Sequence, residues 1–371
     1  MALGVTLADG WGKRLHFSAS SGYVQIGDGS TSVTNGGVQM HGGGIECDNG
    51  IEIDVADNGT SHIDGGDCNT ESATLANYVC KANQWTELSG FGDWQWGFNI
   101  IVGTSGSLTT TTTADGSGND SMVMMNNAGI LVNTGGQMYW TKGGFKTSGT
   151  GVFTQQGNLD YTPASDTSTD RCGLPFTQTK AAGGQVPVFT THWSGTEFAG
   201  CSHQINWNTF SIQDGDLVTR TRPSESLIFS FKAGDTPLFT GRNLHVYDGI
   251  FQFTNAAFTV SSGTVTIENT ATLNAFQQKL TLSSTVEVDI HFRGAGANCG
   301  QITGQDLTLN ITTGVLKAIN DDSSLTSGQQ WSFFVTTNNI NVLSDFAAGN
   351  IILPTGLNRN TANPKNWKFT S

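Results

Sequence analysis

Paired carboxylates are the first residues of this sequence that can do chemistry. Three pairs of acids lie close together along the chain: Asp64 with Asp67, Asp214 with Asp216, and Asp321 with Asp322. A glycoside hydrolase needs two carboxyl groups held about 5–10 Å apart across the bond that it cleaves. A chain with 30 acidic residues contains neighbouring pairs by chance, and residues 214–216 also have the composition of a turn. We therefore predict that none of these pairs is catalytic and that the chain is not an enzyme.

Oxygen-rich turns offer a second kind of chemistry, the binding of calcium. Residues 115–120 place oxygen ligands at alternating positions, and residues 64–67 put two carboxylates around a flexible turn. Calcium prefers such clusters of carboxylate and carbonyl oxygens, but neither segment completes an EF-hand loop. We predict no cofactor, and a structural calcium ion at these turns stays open as an alternative.

Other metal and nucleotide motifs are missing from the sequence. Its seven histidines form no H-E-x-x-H or H-x-x-x-H pair, so the sequence does not predict catalytic zinc. No Walker loop or G-x-S-x-G elbow occurs. The six cysteines form no C-x-x-C pair, and we expect free, buried thiols; disulfides are the alternative and need an oxidising compartment.

Two tryptophans are candidates for an interface. Trp94 and Trp96 flank one residue, so they lie on the same side of a strand. Indole rings stack on the apolar faces of sugars and also anchor protein interfaces. The alternative is that this side of the strand faces the core.

The C-terminal segment supplies the other interface candidates. After Asp345 the sequence contains no acidic side chain but several basic ones, and two aromatic residues lie close to its end. We expect these aromatic residues to lie outside the main core and to pack against a neighbouring subunit. The basic residues form either a docking tail for an acidic subunit or an ordinary solvated tail. The candidates are Arg359, Lys365, Trp367, Lys368 and Phe369.

The composition predicts the elements that must position these residues. Charged residues are 13% of the chain, against about 25% in average proteins, and 48 of its 371 residues are glycine. Residues 51–55 alternate between apolar and polar after an Asn-Gly turn, and similar short runs recur at 264–267, 286–290 and 307–311. The sequence therefore predicts an all-β fold, a β-solenoid of the parallel β-helix type, with β-sandwich or jelly-roll domains as the alternative.

Shifts in composition predict three regions. Residues 1–146 form an N-terminal β domain, residues 147–185 a linker or long surface loop, and residues 186–371 a C-terminal β domain. The middle region is rich in Thr, Ser, Gly, Asp and Pro and low in aliphatic residues. One short helix is predicted within 71–88, where Leu75, Tyr78, Val79 and Ala82 have helical spacing.

Charge and hydropathy restrict the partners. The net charge of −13 repels phosphate, so we expect no nucleic acid. No stretch of about 18 apolar residues occurs, so we expect no membrane insertion. The start at Met1 has no basic n-region and no apolar core of a secretion signal. Either this is a mature chain, or the protein is assembled in a cytoplasm without secretion, as virion proteins are.

The signal-free start, the low lysine content, the strand runs 265–267 and 307–311 and the terminal run 357–369 together resemble the structural proteins of bacteriophage virions. The resemblance is to head fibres, capsid decoration proteins and tail fibres or spikes, and it is compositional. It implies a homo-oligomer on the virion surface that contacts other structural subunits and binds the host, with surface glycans as further candidate ligands. The alternatives are an adhesin or secreted fibre subunit of a cell surface and a polysaccharide-degrading β-helix enzyme.

Overall fold

The computed structural model describes residues 5–7, 14–17, 23–26, 38–41, 44–47, 52–55, 60–64, 67–70, 77–80, 85–91, 94–113, 121–125, 127–161, 169–192, 202–221, 225–322 and 324–371. Up to residue 95, side chains are described only at Tyr78 and Leu88. Apart from one 3-10 turn at Ala348–Asn350, the regular structure of these residues is β-strand. No described helix has the length and the apolar character that a membrane span requires.

The chain divides into two units, Met1–Phe189 and Thr190–Ser371, and β21 contains the boundary. Strands up to this boundary are β1 (Val5–Leu7), β2 (Arg14–Phe17), β3 (Tyr23–Ile26), β4 (Val38–His41), β5 (Gly44–Cys47), β6 (Glu52–Val55), β7 (Thr60–Asp64), β8 (Asp67–Thr70), β9 (Asn77–Cys80), β10 (Trp85–Phe91), β11 (Trp94–Trp96), β12 (Asn99–Val102), β13 (Ser107–Thr113), β14 (Ser121–Met124), β15 (Ile130–Val132), β16 (Gln137–Lys142), β17 (Gly144–Thr147), β18 (Phe153–Gln155), β19 (Asn158–Tyr161), β20 (Thr169–Gln178) and β21 (Val188–His192).

The strands of the second unit are β22 (Ser202–Ile212), β23 (Asp216–Arg220), β24 (Ser226–Phe231), β25 (Leu238–Phe239), β26 (Asn243–Asp248), β27 (Ile250–Thr254), β28 (Phe258–Val260), β29 (Thr264–Ile267), β30 (Thr272–Asn274), β31 (Lys279–Ser284), β32 (Glu287–Phe292), β33 (Gln301–Ile311), β34 (Leu316–Asn320), β35 (Gln330–Ser344), β36 (Ile351–Ile352), β37 (Asn358–Asn360) and β38 (Asn366–Thr370).

Each unit is a stack of coils in which most strands pair in parallel with the strand two or three positions later in the chain. In the first unit, β1, β4, β7, β10, β13, β16 and β19 form one ladder. The strands between them form two more ladders, which both end on the long strand β20. Three parallel ladders around one core define a β-solenoid and confirm the predicted fold class. The sandwich alternative is excluded because its sheets are antiparallel.

The second unit repeats this arrangement. Ladder one consists of β23, β26, β29, β32, β34 and β36. Ladder two contains β24, β27 and β30, and ladder three contains β25, β28 and β31. The long strands β22, β33 and β35 run through the corner between ladders two and three and contribute to both.

The period of two along each strand creates the core. In ladder one, Val265 pairs with Val288 and Ile267 pairs with Ile290, and all four side chains are fully buried. The residues between them point outward and are polar. Like side chains thus stack on one another from coil to coil, and burying each one stabilises the unit by about 1.5–3 kcal/mol.

Coil length varies, and this explains why the sequence shows no strict repeat. Val5 pairs with Val38, whereas Thr264 pairs with Glu287, so the turns between strands absorb insertions of different length. Pairing within a ladder fixes the register of the strands and places no such restriction on the length of the turns between them.

The predicted linker or surface loop at 147–185 is wrong in its described part. This region contains β18, β19 and β20, and its aromatic side chains Phe153, Tyr161 and Phe176 are fully buried. A coil filled by aromatic residues needs few aliphatic ones, so low aliphatic content did not indicate a loop. The chain passes to the second unit after Phe189, near the predicted domain start at 186.

The predicted helix within 71–88 is also wrong where the structure describes it. Tyr78 and Val79 lie in β9, which pairs with β6 and β12, and β10 begins at Trp85. Leu75 and Ala82 lie outside the described residues. Strand pairing on both sides of β9 outweighs a helical spacing that rested on four apolar residues.

Antiparallel strands close the end of the second unit. β38 pairs with β35 along Gln330–Val335, and β37 pairs with β38. Trp331, Phe333 and Phe334 of β35 would otherwise end the core at a bare edge. The cap therefore supplies both backbone partners and apolar cover for the last coil.

Candidate functional site: an uncharged cleft beside Phe276

A cleft of about 700 Å³ opens at the corner between ladders two and three of the second unit. Three successive coils form it, at the end of β30, at the bend within β33 and at the bend within β35. The lining residues are Asn274, Phe276, Gln277, Gln278, Thr303, Gly304, Gln305, Val335, Thr336 and Thr337. Its volume lies within the usual range for small-molecule sites, about 300–1,000 Å³.

Phe276 is held outward by its own backbone. Its φ is +48°, in the left-handed region that phenylalanine rarely adopts, and its side chain is 48% exposed. The Phe276 backbone N–H donates to Asn274 Oδ1 at 2.7 Å, and the Gln278 N–H donates to the Ala275 carbonyl at 2.8 Å. Strained backbone of this kind occurs where the surrounding structure imposes it, often at ligand sites. The turn thus presents an aromatic ring at the mouth of the cleft.

Close backbone contact shapes the floor of the cleft. A Cβ atom on Gly304 would lie 2.6 Å from the Ala275 Cβ, so only glycine fits at this bend of β33. The Ala275 N–H donates to the Thr303 carbonyl at 2.7 Å and joins the two coils. Asn274 is oriented in turn by donating from Nδ2 to Gln252 Oε1 at 3.1 Å. The cleft is therefore built on ordered backbone.

The chemistry of the lining is neutral. None of its ten residues carries a charged side chain, and four of them have amide side chains that both donate and accept hydrogen bonds. One large apolar ring faces solvent beside them. A ligand that matches this surface is uncharged, rich in hydroxyl or amide groups, and has a flat apolar face.

A second polar cluster lies on the outer face of ladder one. Glu268, His291 and Asp321 each offer one ligand atom, and these three atoms lie within 4.8 Å of one another. His291 Nδ1 is 2.8 Å from Asp321 Oδ1 and 3.5 Å from Glu268 Oε2. His245 Nε2 lies 2.8 Å from Glu268 Oε1. Within the described residues, this is the group with the donor types of a metal site.

Of the two tryptophan candidates, Trp96 lies in the core, whereas the structure describes only the backbone of Trp94. Trp96 is fully buried and makes edge contacts with Tyr78 and Phe98, at ring centroid distances of 5.8 and 5.6 Å. Its proposed place at an interface is therefore wrong, and the alternative that this side faces the core holds for Trp96. Trp94 lies in β11 opposite Met122, and its side chain lies outside the described residues.

The C-terminal aromatic residues are also in the core of their own chain. Phe369 is fully buried and stacks on Phe333, and Trp367 is 3% exposed and packs edge-on against Phe334. The expectation that they lie outside the core and contact a neighbouring subunit is corrected. The chain end folds back onto the last coil, so late residues fill the core there.

The three basic candidates differ in the contacts that their charged groups make within the chain. Arg359 donates to both oxygens of Asp345, at 3.2 and 2.9 Å, so its charge is neutralised within the chain and it is not a free docking group. Lys368 donates to Gln330 Oε1 at 3.4 Å. Lys365 is exposed. Of the three, Lys365 is the one that retains the character of a solvated tail.

Of the three predicted carboxylate pairs, the structure describes the side chains of two, and in each of these the two carboxylates bind different partners. Asp214 accepts from Arg242 Nε at 3.0 Å at the turn before β23, while Asp216 accepts from Asn243 Nδ2 at 2.9 Å. Asp322 accepts from the backbone of Ala295, whereas its neighbour Asp321 faces His291. The side chains of residues 64 and 67 and the calcium segment 115–120 lie outside the described residues.

Two cysteines have described environments. Cys172 and Cys299 are free thiols; the first is fully buried and the second is partly buried. Burial raises the pKa of Cys299 to about 11, against two weaker opposing hydrogen bonds. The thiol donates one of them to the Ser332 carbonyl and accepts the other from Gln301 Nε2. Burial likewise raises the pKa of the Cys172 thiol far above its usual range. Neither thiol has the lowered pKa of a nucleophile or a metal ligand.

Sequence reasoning missed both Phe276 and the histidine–carboxylate cluster. Phe276 lies in a short apolar-polar run that has no motif, and only its positive φ turns it outward. His291 and Asp321 are 30 positions apart, a spacing that means nothing until the coil length is known. Periodicity of about one coil between His, Glu and Asp was the signal that could have found them.

The fold defines the class of this chain as parallel β-solenoid proteins. The comparisons with known proteins add no relative: no family model, no curated protein and no solved structure matches the chain.

Proposed function

We propose that this protein is a structural β-solenoid of a virion surface that assembles with copies of itself and binds a neutral glycan in the cleft beside Phe276. The observation that carries the proposal is the uncharged cleft with a half-exposed aromatic ring. Sugar hydroxyl groups match amide donors and acceptors, and the apolar face of a sugar ring packs on an aromatic side chain. The cleft lining contains no acid, so binding is favoured over cleavage there.

The solenoid supports a structural role because it holds such a cleft on a rigid frame. The core of each unit is a stack of buried side chains, and charged residues are 13% of the chain. A cell-surface adhesin would use the same architecture and the same cleft. A virion protein and a cell-surface adhesin would differ in the particle that displays the protein, but they would bind ligands of the same chemistry.

Self-assembly is supported by apolar side chains exposed on the last coil. Leu343 is 69% exposed and Val342 is 44% exposed, within a segment of β35 whose described strand pairing is with β33 alone. Apolar strand segments with an open edge pair with a further strand, and we propose that a second copy of this chain provides it.

The experiment combines glycan binding with measurement of mass. The full chain is applied to an array of neutral oligosaccharides, and hits are titrated by calorimetry against wild type and Phe276→Ala. We expect at least a tenfold weaker affinity for the variant. Equal affinity, or no neutral glycan bound at all, would contradict the binding role. Release of reducing ends from a bound glycan would instead favour the polysaccharide-degrading alternative.

Light scattering tests the assembly. We expect an oligomer for wild type and a smaller species for Leu343→Lys. Val152→Lys is the matched control, because Val152 is 50% exposed on a coil of the first unit and should leave the mass unchanged. A monomeric wild type at micromolar concentration would contradict self-assembly.

A further inference from the structure

The outer face of ladder one brings together side chains from successive coils. Glu268 directly follows β29, His291 lies in β32, and Asp321 directly follows β34. Neighbouring strands lie about 4.8 Å apart, so one ligand from each of three coils converges within the reach of a single ion. The three ligand atoms lie within 4.8 Å of one another.

Hydrogen bonding alone leaves this arrangement incomplete. A neutral imidazole nitrogen carries at most one proton, and His291 Nδ1 faces two carboxylate oxygens, at 2.8 Å on Asp321 and 3.5 Å on Glu268. One proton serves one of these contacts. The remaining oxygen adds negative charge to the same point, and a cation placed there would be held by all three groups.

The other oxygen of each carboxylate is already anchored. Glu268 Oε1 lies 2.8 Å from His245 Nε2, and Asp321 Oδ2 accepts from Asn269 Nδ2 at 2.7 Å. These partners turn the inner oxygens toward His291. Outer groups that orient the ligands in this way are characteristic of protein metal sites.

We propose that Glu268, His291 and Asp321 bind one divalent transition-metal ion of the zinc class. One imidazole nitrogen with two carboxylate oxygens is a ligand set that zinc accepts, with a fourth position for water. Zinc ligands lie about 3.3 Å from one another in a tetrahedral site. The 3.5 Å separation of His291 and Glu268 already fits, and the side chains of all three are 20–28% exposed, so solvent reaches the fourth position.

The role of the ion would be to join three coils on one face. It would bind the folded solenoid and not the unfolded chain, because the ligands are 23 to 53 positions apart in the sequence. Binding of that kind raises the melting temperature in proportion to the logarithm of ion concentration over Kd. This inference does not depend on the glycan cleft, which lies on a different corner of the coils.

The test uses the full chain, stripped with EDTA and dialysed, and titrated with zinc chloride by calorimetry. We expect one zinc ion per chain in wild type and at least a hundredfold weaker binding in His291→Ala. His245→Ala should weaken binding by about 10–100-fold, because it removes an orienting partner. Asp214→Asn is the matched control, since its carboxylate pairs with Arg242 elsewhere on this unit.

Melting curves with and without zinc keep the test valid if a variant loses stability. Glu268→Gln preserves side-chain shape, so it should fold in EDTA and lose the zinc-dependent rise in melting temperature. Zinc binding that persists unchanged in both His291→Ala and Glu268→Gln would overturn the proposal. Preference for calcium or magnesium over zinc would overturn the assignment to the zinc class.

Discussion

Phe369, the third-last residue of the sequence, stacks on Phe333 of the last coil, with ring centroids 4.1 Å apart and planes inclined by 26°. Both rings are fully buried. This contact joins the antiparallel cap to the core of the second unit, because it fills the space that a further coil would occupy elsewhere in the stack.

Replacing Phe369 with alanine should therefore destabilise the second unit. Removal of a buried phenylalanine costs about 3–5 kcal/mol, from lost apolar burial and from the cavity that remains. Phe276→Ala is the control: its ring is half exposed, and the change should cost much less. Urea denaturation followed by tryptophan fluorescence measures both; similar losses in the two variants would contradict the capping role.

The pair of Arg359 and Asp345 should contribute more than an ordinary surface ion pair. Arg359 makes two hydrogen bonds to the carboxylate, and its guanidinium lies 5.0 Å from the Trp367 ring centroid. We expect a coupling energy of about 1.5 kcal/mol in a double-mutant cycle. The single, more exposed contact of Arg242 with Asp214 should give less than about 1 kcal/mol. Equal coupling energies for the two pairs would contradict the added stabilisation that we attribute to the two hydrogen bonds between Arg359 and Asp345.

Gly144 should not tolerate any side chain. A Cβ at this position would lie 2.1 Å from the Arg171 carbonyl oxygen and 2.6 Å from its nitrogen, both in the backbone of the adjacent coil. Gly144→Ala should thus cost about 3 kcal/mol or more, because a paired strand must shift. Gly296→Ala, with nothing within 4 Å of its Cβ, is the control. Thermal melts that show no difference would contradict the close approach of the coils.

The described thiols should be unreactive in the folded protein. Burial raises the pKa of Cys299 to about 11, so at pH 8 almost no thiolate is present there, and Cys172 is fully buried. Site-resolved mass spectrometry after iodoacetamide treatment should show both residues unmodified in buffer and modified in guanidinium chloride. Rapid alkylation of Cys172 in buffer would contradict its place in the core.

Asp289 should lower stability near neutral pH. Burial raises its pKa above the ordinary value, and the nearby His291 opposes this only in part. A carboxyl whose pKa is higher in the folded state is more stable protonated, so stability is retained below the ordinary pKa of 3.8 and is lost as the pH rises through the raised value. Asp289→Asn should consequently melt above wild type at pH 7 and converge with it at pH 3.

That comparison is made in EDTA, so that metal does not contribute. Glu287→Gln is the matched control, because Glu287 lies on the same strand and pairs with Lys317. A variant Asp289→Asn that melts below wild type at pH 7 would show that Asp289 stabilises the fold through Lys317, which lies 3.8 Å from it.

Local sequence patterns predicted an all-β chain and many of its strands, and left solenoid and sandwich as alternatives. Alternation at 264–267 and 286–290 assigns Val265 and Val288 to an inner face wherever the strands pair, because side chains alternate in any strand. Glycine and asparagine mark the turns between them for an equally local reason. The strands within 147–185 were not predicted, because their buried aromatic residues do not give the aliphatic pattern on which the prediction relied.

Which distant residues meet depends on the three-dimensional fold. His291 and Asp321 lie side by side because the chain between them is one coil long, and coil length varies along this solenoid. Phe369 is buried because the chain end reverses onto β35, a direction that no local pattern encodes. Local preferences select strand and face, whereas neighbours are set by the lengths of the connecting turns and by the close packing of the core.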